Sequence, residues 1–138
     1  MAGLGEDIKV NGENYAVAKE VPQNTTAYTD ALNFGEGGQL GAINVKGVVN
    51  EKIVLTATKK LTVKLQESAT GESEDYADKF TVKEITAGAE DAYSITAGNV
   101  LFNHVLGPDS KRYTRLSLTT DDAAAAGKVD IYPQYLPR

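Results

Sequence analysis

Residues 61–66 read LTVKLQ, and this short run indicates the class of fold. Its apolar and polar residues alternate strictly: Leu61, Val63 and Leu65 against Thr62, Lys64 and Gln66. Successive side chains of a β-strand point to opposite faces, so this pattern is typical of a half-buried antiparallel strand. Residues 53–58 form another apolar run just before it, with residues 58–60 as the connection. The sequence therefore predicts a β-hairpin here.

The same period-two pattern recurs along the rest of the chain. Further strands are predicted around Phe80, Val82 and Ile85, at residues 100–106, around Leu116 and Leu118, and around Val129 and Ile131. Glycines next to Asn, Thr or Ala separate these runs and favour turns. The segments that could be helical are too short to hold a helix unaided. We therefore expect an all-β, single-domain antiparallel β-sandwich of jelly-roll type with about eight strands.

Composition narrows the function classes. The chain has 138 residues, of which 41% are hydrophobic and 24% charged, as in an ordinary globular domain. It has no cysteine, which excludes a disulfide framework and a thiolate metal site. No apolar run approaches the roughly 18 residues of a membrane span, and the start of the chain does not read as a secretory signal. We expect a soluble protein that binds no membrane.

The charge balance argues against nucleic acid as a partner. The formal net charge is −5, whereas affinity for a phosphate backbone comes from clustered Lys and Arg. The adjacent basic pairs, residues 59–60 and 111–112, each flank a predicted turn and are expected to be solvated.

Catalytic and metal sites are not indicated. His104 is the single histidine and lies in a predicted strand, so a structural role is expected for it and the protein is expected not to be an enzyme. Acidic residues cluster at Glu72, Glu74, Asp75 and Asp78, but their spacing does not fit a calcium-binding loop. A solvated acidic loop is the expected reading. No cofactor or metal is predicted.

The residues at the two ends of the chain indicate a binding function. Proline lacks the N–H that a strand ladder needs, so the C-terminal segment is expected to leave the sheet at Pro133. Tyrosine is frequent among residues that carry interface energy, which makes Tyr132, Tyr135, Leu136 and Pro137 candidate contacts with a partner. The alternative is that this segment folds back over its own core.

Near the N-terminus, Tyr15 and Val17 are further candidate contacts within an arm or edge strand. The predicted organisation is an N-terminal arm or edge strand at 1–21, the sandwich at 22–132 and a C-terminal tail at 133–138.

Several segments together resemble a known family. Residues 25–35 (TTAYTDALNFG), 61–68, 97–102, 112–116 (RYTRL) and 127–130 (GKVD) follow an order that is similar to the jelly-roll cement, or decoration, proteins on the capsids of tailed bacteriophages. In that family a threonine-rich strand ends at glycine and the R-Y-x-R-L strand pairs with the closing G-K-V strand. The similar portion spans roughly residues 22–132, and the two chain ends lie outside it.

The resemblance implies a non-enzymatic protein that binds the outer surface of a phage capsid and holds adjacent major capsid subunits together. Its partner would be the major capsid protein, its location the outside of the virion after synthesis in the host cytoplasm, and its state a closed homo-oligomer, a dimer in preference to a trimer. The alternative is a carbohydrate-binding or adhesive β-sandwich, although the chain has no tryptophan for stacking on sugars. A small β-sandwich hydrolase would need His104 in a cleft beside a serine and a carboxylate.

Overall fold

The computed structural model describes residues 8–9, 14–33, 43–106 and 111–135. A single turn of 3₁₀-helix lies at Ser73–Asp75. The strands are β1 (Ile8–Lys9), β2 (Ala16–Glu20), β3 (Thr25–Tyr28), β4 (Leu32–Asn33), β5 (Ile43–Leu55), β6 (Lys60–Ser68), β7 (Ala77–Thr86), β8 (Tyr93–Ile95), β9 (Val100–Leu106), β10 (Tyr113–Thr120) and β11 (Ala126–Tyr135). No helix in these ranges is long and apolar enough to cross a membrane.

The strands form two antiparallel sheets. In the first, the order is β1–β11–β5–β8, with β2 also on β11 and β9 also on β5; in the second, it is β3–β10–β6–β7, with β4 also on β10. The short strands β1 and β2, β3 and β4, and β8 and β9 share one position each, which leaves eight strand positions. All connections between these positions cross from sheet to sheet except β6–β7, and this is jelly-roll connectivity. The predicted all-β jelly-roll sandwich is confirmed.

The core lies between the two sheets and follows the predicted alternation. Leu61, Val63 and Leu65 of β6 are fully buried, and Leu116 and Leu118 of β10 lie in the same layer. The opposite layer is supplied by the first sheet through Val45, Val49, Val129 and Ile131. Close packing of these β-branched and leucine side chains fixes which face of each strand is the outer one.

Two expected strand pairings are wrong, and for the same reason. β5 lies in the first sheet and β6 in the second, so residues 53–66 form no hairpin. Likewise β10 pairs with β3, β4 and β6, not with β11. Both connections are corners between sheets. The buried carboxylate of Asp122 holds them together, because it accepts hydrogen bonds from the backbone N–H groups of Thr56 (2.6 Å) and Ala124 (2.8 Å).

Pro133 does not end the last strand. β11 continues to Tyr135, and Pro133 pairs with Val45 of β5. This corrects the expectation that residues 133–135 leave the sheet. In the described residues, β2 pairs with β11 up to Ile131 and β1 pairs with Gln134 and Tyr135. Within the described residues, Pro133 has no strand partner on that edge, where a missing N–H is tolerated.

Candidate functional site

The outer face of the first sheet carries an apolar cluster. Val45 and Val49 of β5 enter the core, so the alternating Lys46 and Val48 point outward. In the strand register, Tyr132 and Asn103 flank Lys46, Asp130 and Val100 flank Val48, and Gln134 and Val105 flank Asn44. We call Val48, Val100, Val105 and Tyr132 the valine face.

The valine face presents apolar surface around one cation, Lys46, which lies between Tyr132 and Asn103 in the strand register. Val100 and Val105 are 52% and 54% exposed, and Val48 and Tyr132 are half-buried. The charge of Asp130 is already engaged, because its carboxylate accepts hydrogen bonds from the Ala18 N–H (2.7 Å) and the Asn50 side chain (3.1 Å). Burying this face against another molecule would contribute a favourable free energy of about 25 cal/mol for each Å² of apolar surface removed from water.

Two amide side chains lie beside Val105 at one end of this face. Asn44 and Gln134 are 7% and 5% exposed, although their strand positions point away from the core. Neither Asn44 Oδ1 nor Gln134 Oε1 accepts a hydrogen bond from the described part of the chain. An unpaired buried carbonyl costs about 1–3 kcal/mol, so these two oxygens lower the stability of this end of the first sheet.

The predicted contact residues do not all lie together. Tyr132 is on the valine face, and Val17 is 68% exposed on β2. Tyr15 is 1% exposed, and its hydroxyl is 2.6 Å from Thr114 Oγ1. This corrects the expectation that Tyr15 contacts a neighbour, because its ring is part of the core. The Tyr135 backbone pairs with Ile43 at the end of β11, while Leu136 and Pro137 lie outside the described residues.

Val17 stands at the rim of a groove of about 690 Å³ between β2 and the start of β11. Residues 17–23 and 125–128 line it, together with Ala27 and Glu51. Ala18 in this lining has a φ of 51°, a left-handed conformation that disturbs the regular edge of β2. The charged side chains in the lining include both signs, so the groove does not select an anion or a cation.

The outer face of the second sheet holds a stacked arginine that sequence reasoning missed. The guanidinium carbon of Arg115 lies 4.2 Å from the ring centre of Tyr28 and 4.1 Å from that of Tyr76. Tyr28 is 47% exposed, whereas Arg115 and Tyr76 are half-buried. Burial raises the pKa of Tyr76 above its ordinary value, against the pull of the Arg115 charge, so the phenol is neutral at pH 7. We call Tyr28, Arg115 and Tyr76 the arginine clamp.

A polar network fixes the clamp on the sheet. Arg115 Nε donates to Gln66 Oε1 at 2.9 Å, and Gln66 Nε2 donates to Asp78 Oδ1 at 2.8 Å. The hydrogen bond from Gln66 holds the pKa of Asp78 below its ordinary value, and the nearby Lys64 ammonium acts in the same direction. The one sequence signal for this cluster was period-two alternation, because a buried Leu116 places Arg115 on the outer face. The residues that contact Arg115 are determined by the register of three strands, which the sequence does not show.

The remaining sequence candidates are dispersed. The His104 side chain is exposed, with its ring centre 4.4 Å from that of Phe80. In the acidic segment, Asp75 accepts a short hydrogen bond from the Thr70 hydroxyl, and Asp78 belongs to the network described above. Within the described ranges, no group of three His, Asp or Glu side chains is placed to hold a metal ion.

Comparison with known proteins finds likeness in fold. No family model matches the sequence, and no curated protein matches it. Among solved structures, a chain in the structure of the infectious bursal disease virus Gx strain matches with a TM-score of 0.51 and 10% identity over 95% of this chain. The crystal structure of PirA matches with a TM-score of 0.38 and 13% identity, over 82% of this chain and 87% of that one.

This chain spans 32% of the length of the virus chain that it matches. At 10% identity the likeness shows a shared fold, and a viral β-sandwich is therefore among the structural neighbours.

Proposed function

We propose that this protein is a non-enzymatic structural protein that binds the outer surface of a phage capsid and cements adjacent major capsid subunits. The valine face carries the proposal, because two valines more than half exposed and a tyrosine lie around a single lysine on one sheet face. Such a surface costs free energy in water and is stabilised when a partner covers it. The protein needs no bound cofactor for this role.

The fold supports the same role. Jelly rolls recur in viral capsid domains. The fold of a virus chain matches 95% of the length of this chain. The resemblance of residues 22–132 to phage cement proteins implies that the partner is the major capsid protein on the outside of the virion. It also implies that the protein binds there as a homo-oligomer, a dimer in preference to a trimer.

The mechanism would be thermodynamic. A ligand that binds only the expanded lattice stabilises that lattice by mass action, by about 2.7 kcal/mol at a free concentration 100 times Kd. Because each capsid offers many equivalent positions, modest contacts add up over the shell. The net charge of −5 keeps the unbound protein soluble.

Co-sedimentation with purified phage shells tests the proposal. Expanded, undecorated shells should bind the protein saturably in a fixed ratio to the major capsid protein, and unexpanded shells should not. Binding to neither form would contradict the proposal, and a glycan array would then test the carbohydrate-binding alternative.

A matched pair of variants tests the valine face. Val105→Asp should lower the affinity for expanded shells at least tenfold, because a carboxylate must lose its hydration when the face is covered. Ala89→Asp adds the same charge at an exposed turn and should bind as the unaltered protein does. Equal binding by both variants would exclude the valine face as the contact.

A further inference from the structure

Arg115 is held in one orientation before any partner arrives. Its guanidinium lies between the rings of Tyr28 and Tyr76, 4.2 Å and 4.1 Å from their centres, and its Nε–H is bonded to Gln66. An arginine side chain ordinarily loses much rotamer freedom on binding. Here the fold has already restricted it, so a partner would bind a preorganised cation.

This cation has no carboxylate partner of its own. None of the ion pairs in the described residues includes Arg115; Asp78, the nearest carboxylate in the network, is paired with Lys64 at 3.5 Å. Of the five N–H donors of the guanidinium, only Nε–H has a hydrogen-bond partner in the described part of the chain. The terminal donors match the two oxygens of a carboxylate, which an arginine binds with two parallel hydrogen bonds.

The position of the clamp gives it a role distinct from that of the valine face. Tyr28, Arg115 and Tyr76 lie on the outer face of the second sheet, whereas Val105 and Tyr132 lie on the outer face of the first. A sandwich that contacts one neighbour through each outer face bridges two subunits. Two opposed contact faces are one geometry that would cement neighbouring subunits.

We propose that the arginine clamp is a carboxylate-binding site that takes an acidic side chain of a second capsid subunit, on the side opposite the valine face. This inference rests on the proposed function. Charge complementarity specifies the partner's chemistry: a planar cation flanked by two aromatic rings selects Asp or Glu over Lys, Arg or an apolar side chain.

Shell binding measured at about 0.05 M and about 0.5 M salt tests the site, since salt screens a partly exposed ion pair and leaves apolar contact in place. Arg115→Gln should lower the affinity for expanded shells about tenfold at low salt and much less at high salt. Arg115→Lys should fall between the two, because it keeps the charge and loses the planar fork.

Arg112→Gln is the matched control. It removes the same charge three residues away, but the Arg112 guanidinium carbon lies farther from a ring, 5.3 Å from the centre of Tyr113, and its Nε donates to Asn33. It should bind shells within about twofold of the unaltered protein. An equal loss for Arg112→Gln and Arg115→Gln would show an effect of net charge and overturn the site. Circular dichroism verifies that each variant is folded.

The outcomes separate the two proposals. Shell binding that is unchanged by Arg115→Gln at both salt concentrations overturns the clamp and leaves the cement function standing. Failure of the unaltered protein to bind expanded shells overturns both. If Arg115→Gln weakens self-association in sedimentation velocity and leaves shell binding intact, the site takes a second copy of this chain, and the assignment to a capsid subunit is overturned.

Discussion

The two outer faces of the sandwich expose different kinds of surface. On the first sheet, Val100 and Val105 are more than half exposed and contact water with apolar groups. On the second sheet, Arg115 stacks on the ring of Tyr28 and donates a hydrogen bond to Gln66, which in turn donates to Asp78. The charged and aromatic groups of this face therefore contact one another. A partner of the first face would bind by excluding water, and a partner of the second by supplying a counter-charge.

The regularity of strand pairing also differs between the two sheets. The first sheet has register shifts where β11 meets β2 and β5 and where β5 meets β9. The second sheet has shifts where β6 meets β7, but its central pair, β10 and β6, runs over eight consecutive residues without a shift. A regular ladder places side chains in rows that can bond across strands. An irregular one depends on close backbone approach at glycine. The β11–β5 ladder should therefore be sensitive to backbone substitution at Gly127, and the β10–β6 ladder to side-chain substitutions.

The largest effect is expected for Gly127→Ala in the first sheet. Gly127 has a φ of 121°, and a Cβ there would lie 2.6 Å from Ile53 Cα and 2.7 Å from Lys52 O. Strain and backbone overlap together should lower the free energy of unfolding by about 3 kcal/mol or more. Gly98→Ala is the control, since its φ is 92° but no atom lies within 4 Å; it should cost about 1–2 kcal/mol. Urea denaturation measures both, and equal losses would refute the argument from close approach.

The next effect is expected at the corners that join the two sheets. Asp122 is 2% exposed; burial alone would raise its pKa, but hydrogen bonds from Thr56 and Ala124 outweigh burial and hold it below the ordinary value of 3.8. Asp122→Asn should lower the free energy of unfolding by about 2 kcal/mol at pH 7. Asp121→Asn, at an exposed neighbour bonded to the Lys60 N–H, should cost much less.

The same pair has a pH signature. Because the folded-state pKa of Asp122 is depressed, its stabilisation is present above about pH 3.8 and is lost as the pH falls through the folded-state value. The stability difference between the unaltered protein and Asp122→Asn should therefore narrow in acid. A difference that stays constant down to about pH 2 would show that the charge of Asp122 is not what holds the corners.

A smaller effect should sharpen the contrast between the faces. Val105→Ser removes apolar surface without adding charge, so shell affinity should fall by about fivefold, which corresponds to about 1 kcal/mol. The loss should be the same at low and high salt, unlike that of Arg115→Gln. Co-sedimentation at two salt concentrations measures it, and a loss that disappears in high salt would mean that the valine face does not act by apolar burial.

The smallest effect is expected on the stability of the second sheet. Tyr28→Ala removes one ring of the clamp and should cost about 0.5–1 kcal/mol of unfolding free energy, the usual value for an exposed cation–π contact. Tyr93→Ala removes a ring of similar exposure, 39% against 47%, that has no arginine over it in the described residues. If the two variants are equally stable in urea, the clamp contributes nothing to the fold.

Local sequence pattern was enough for the class of fold and for strands β6, β7, β9, β10 and β11, but it did not predict most of β5. The alternation of Leu61, Val63 and Leu65 predicted a half-buried strand, and all three side chains are in the core. Strand pairing could not be derived in the same way. The hairpin expected at residues 53–66 was wrong because Thr56 is held by Asp122, 66 residues later in the chain. Such a contact leaves no mark on the local pattern.

The candidate surfaces were predictable only in part. Tyr132 was expected at a contact surface and lies on the outer face of the first sheet. Val100 and Val105 reach the same face through the register of β9 on β5, which period-two alternation does not supply. Tyr15 has the same sequence character as Tyr132 and is buried, since its hydroxyl finds Thr114 inside the sandwich. Arg115 and Tyr28 lie in segments that resemble the cement-protein family, but the resemblance does not show that their side chains stack. The strand register of the folded protein does.

Placing the two surfaces on opposite sides of a sandwich gives the molecule a fixed thickness. The sheets of a β-sandwich lie about 10 Å apart, and a close-packed core resists compression. A protein that grips two subunits by its opposite faces therefore accepts one gap width and rejects a narrower or wider one. If both surfaces engage as proposed, this chain would act as a gauge of lattice spacing and would bind tightly only after the shell had reached its final dimensions.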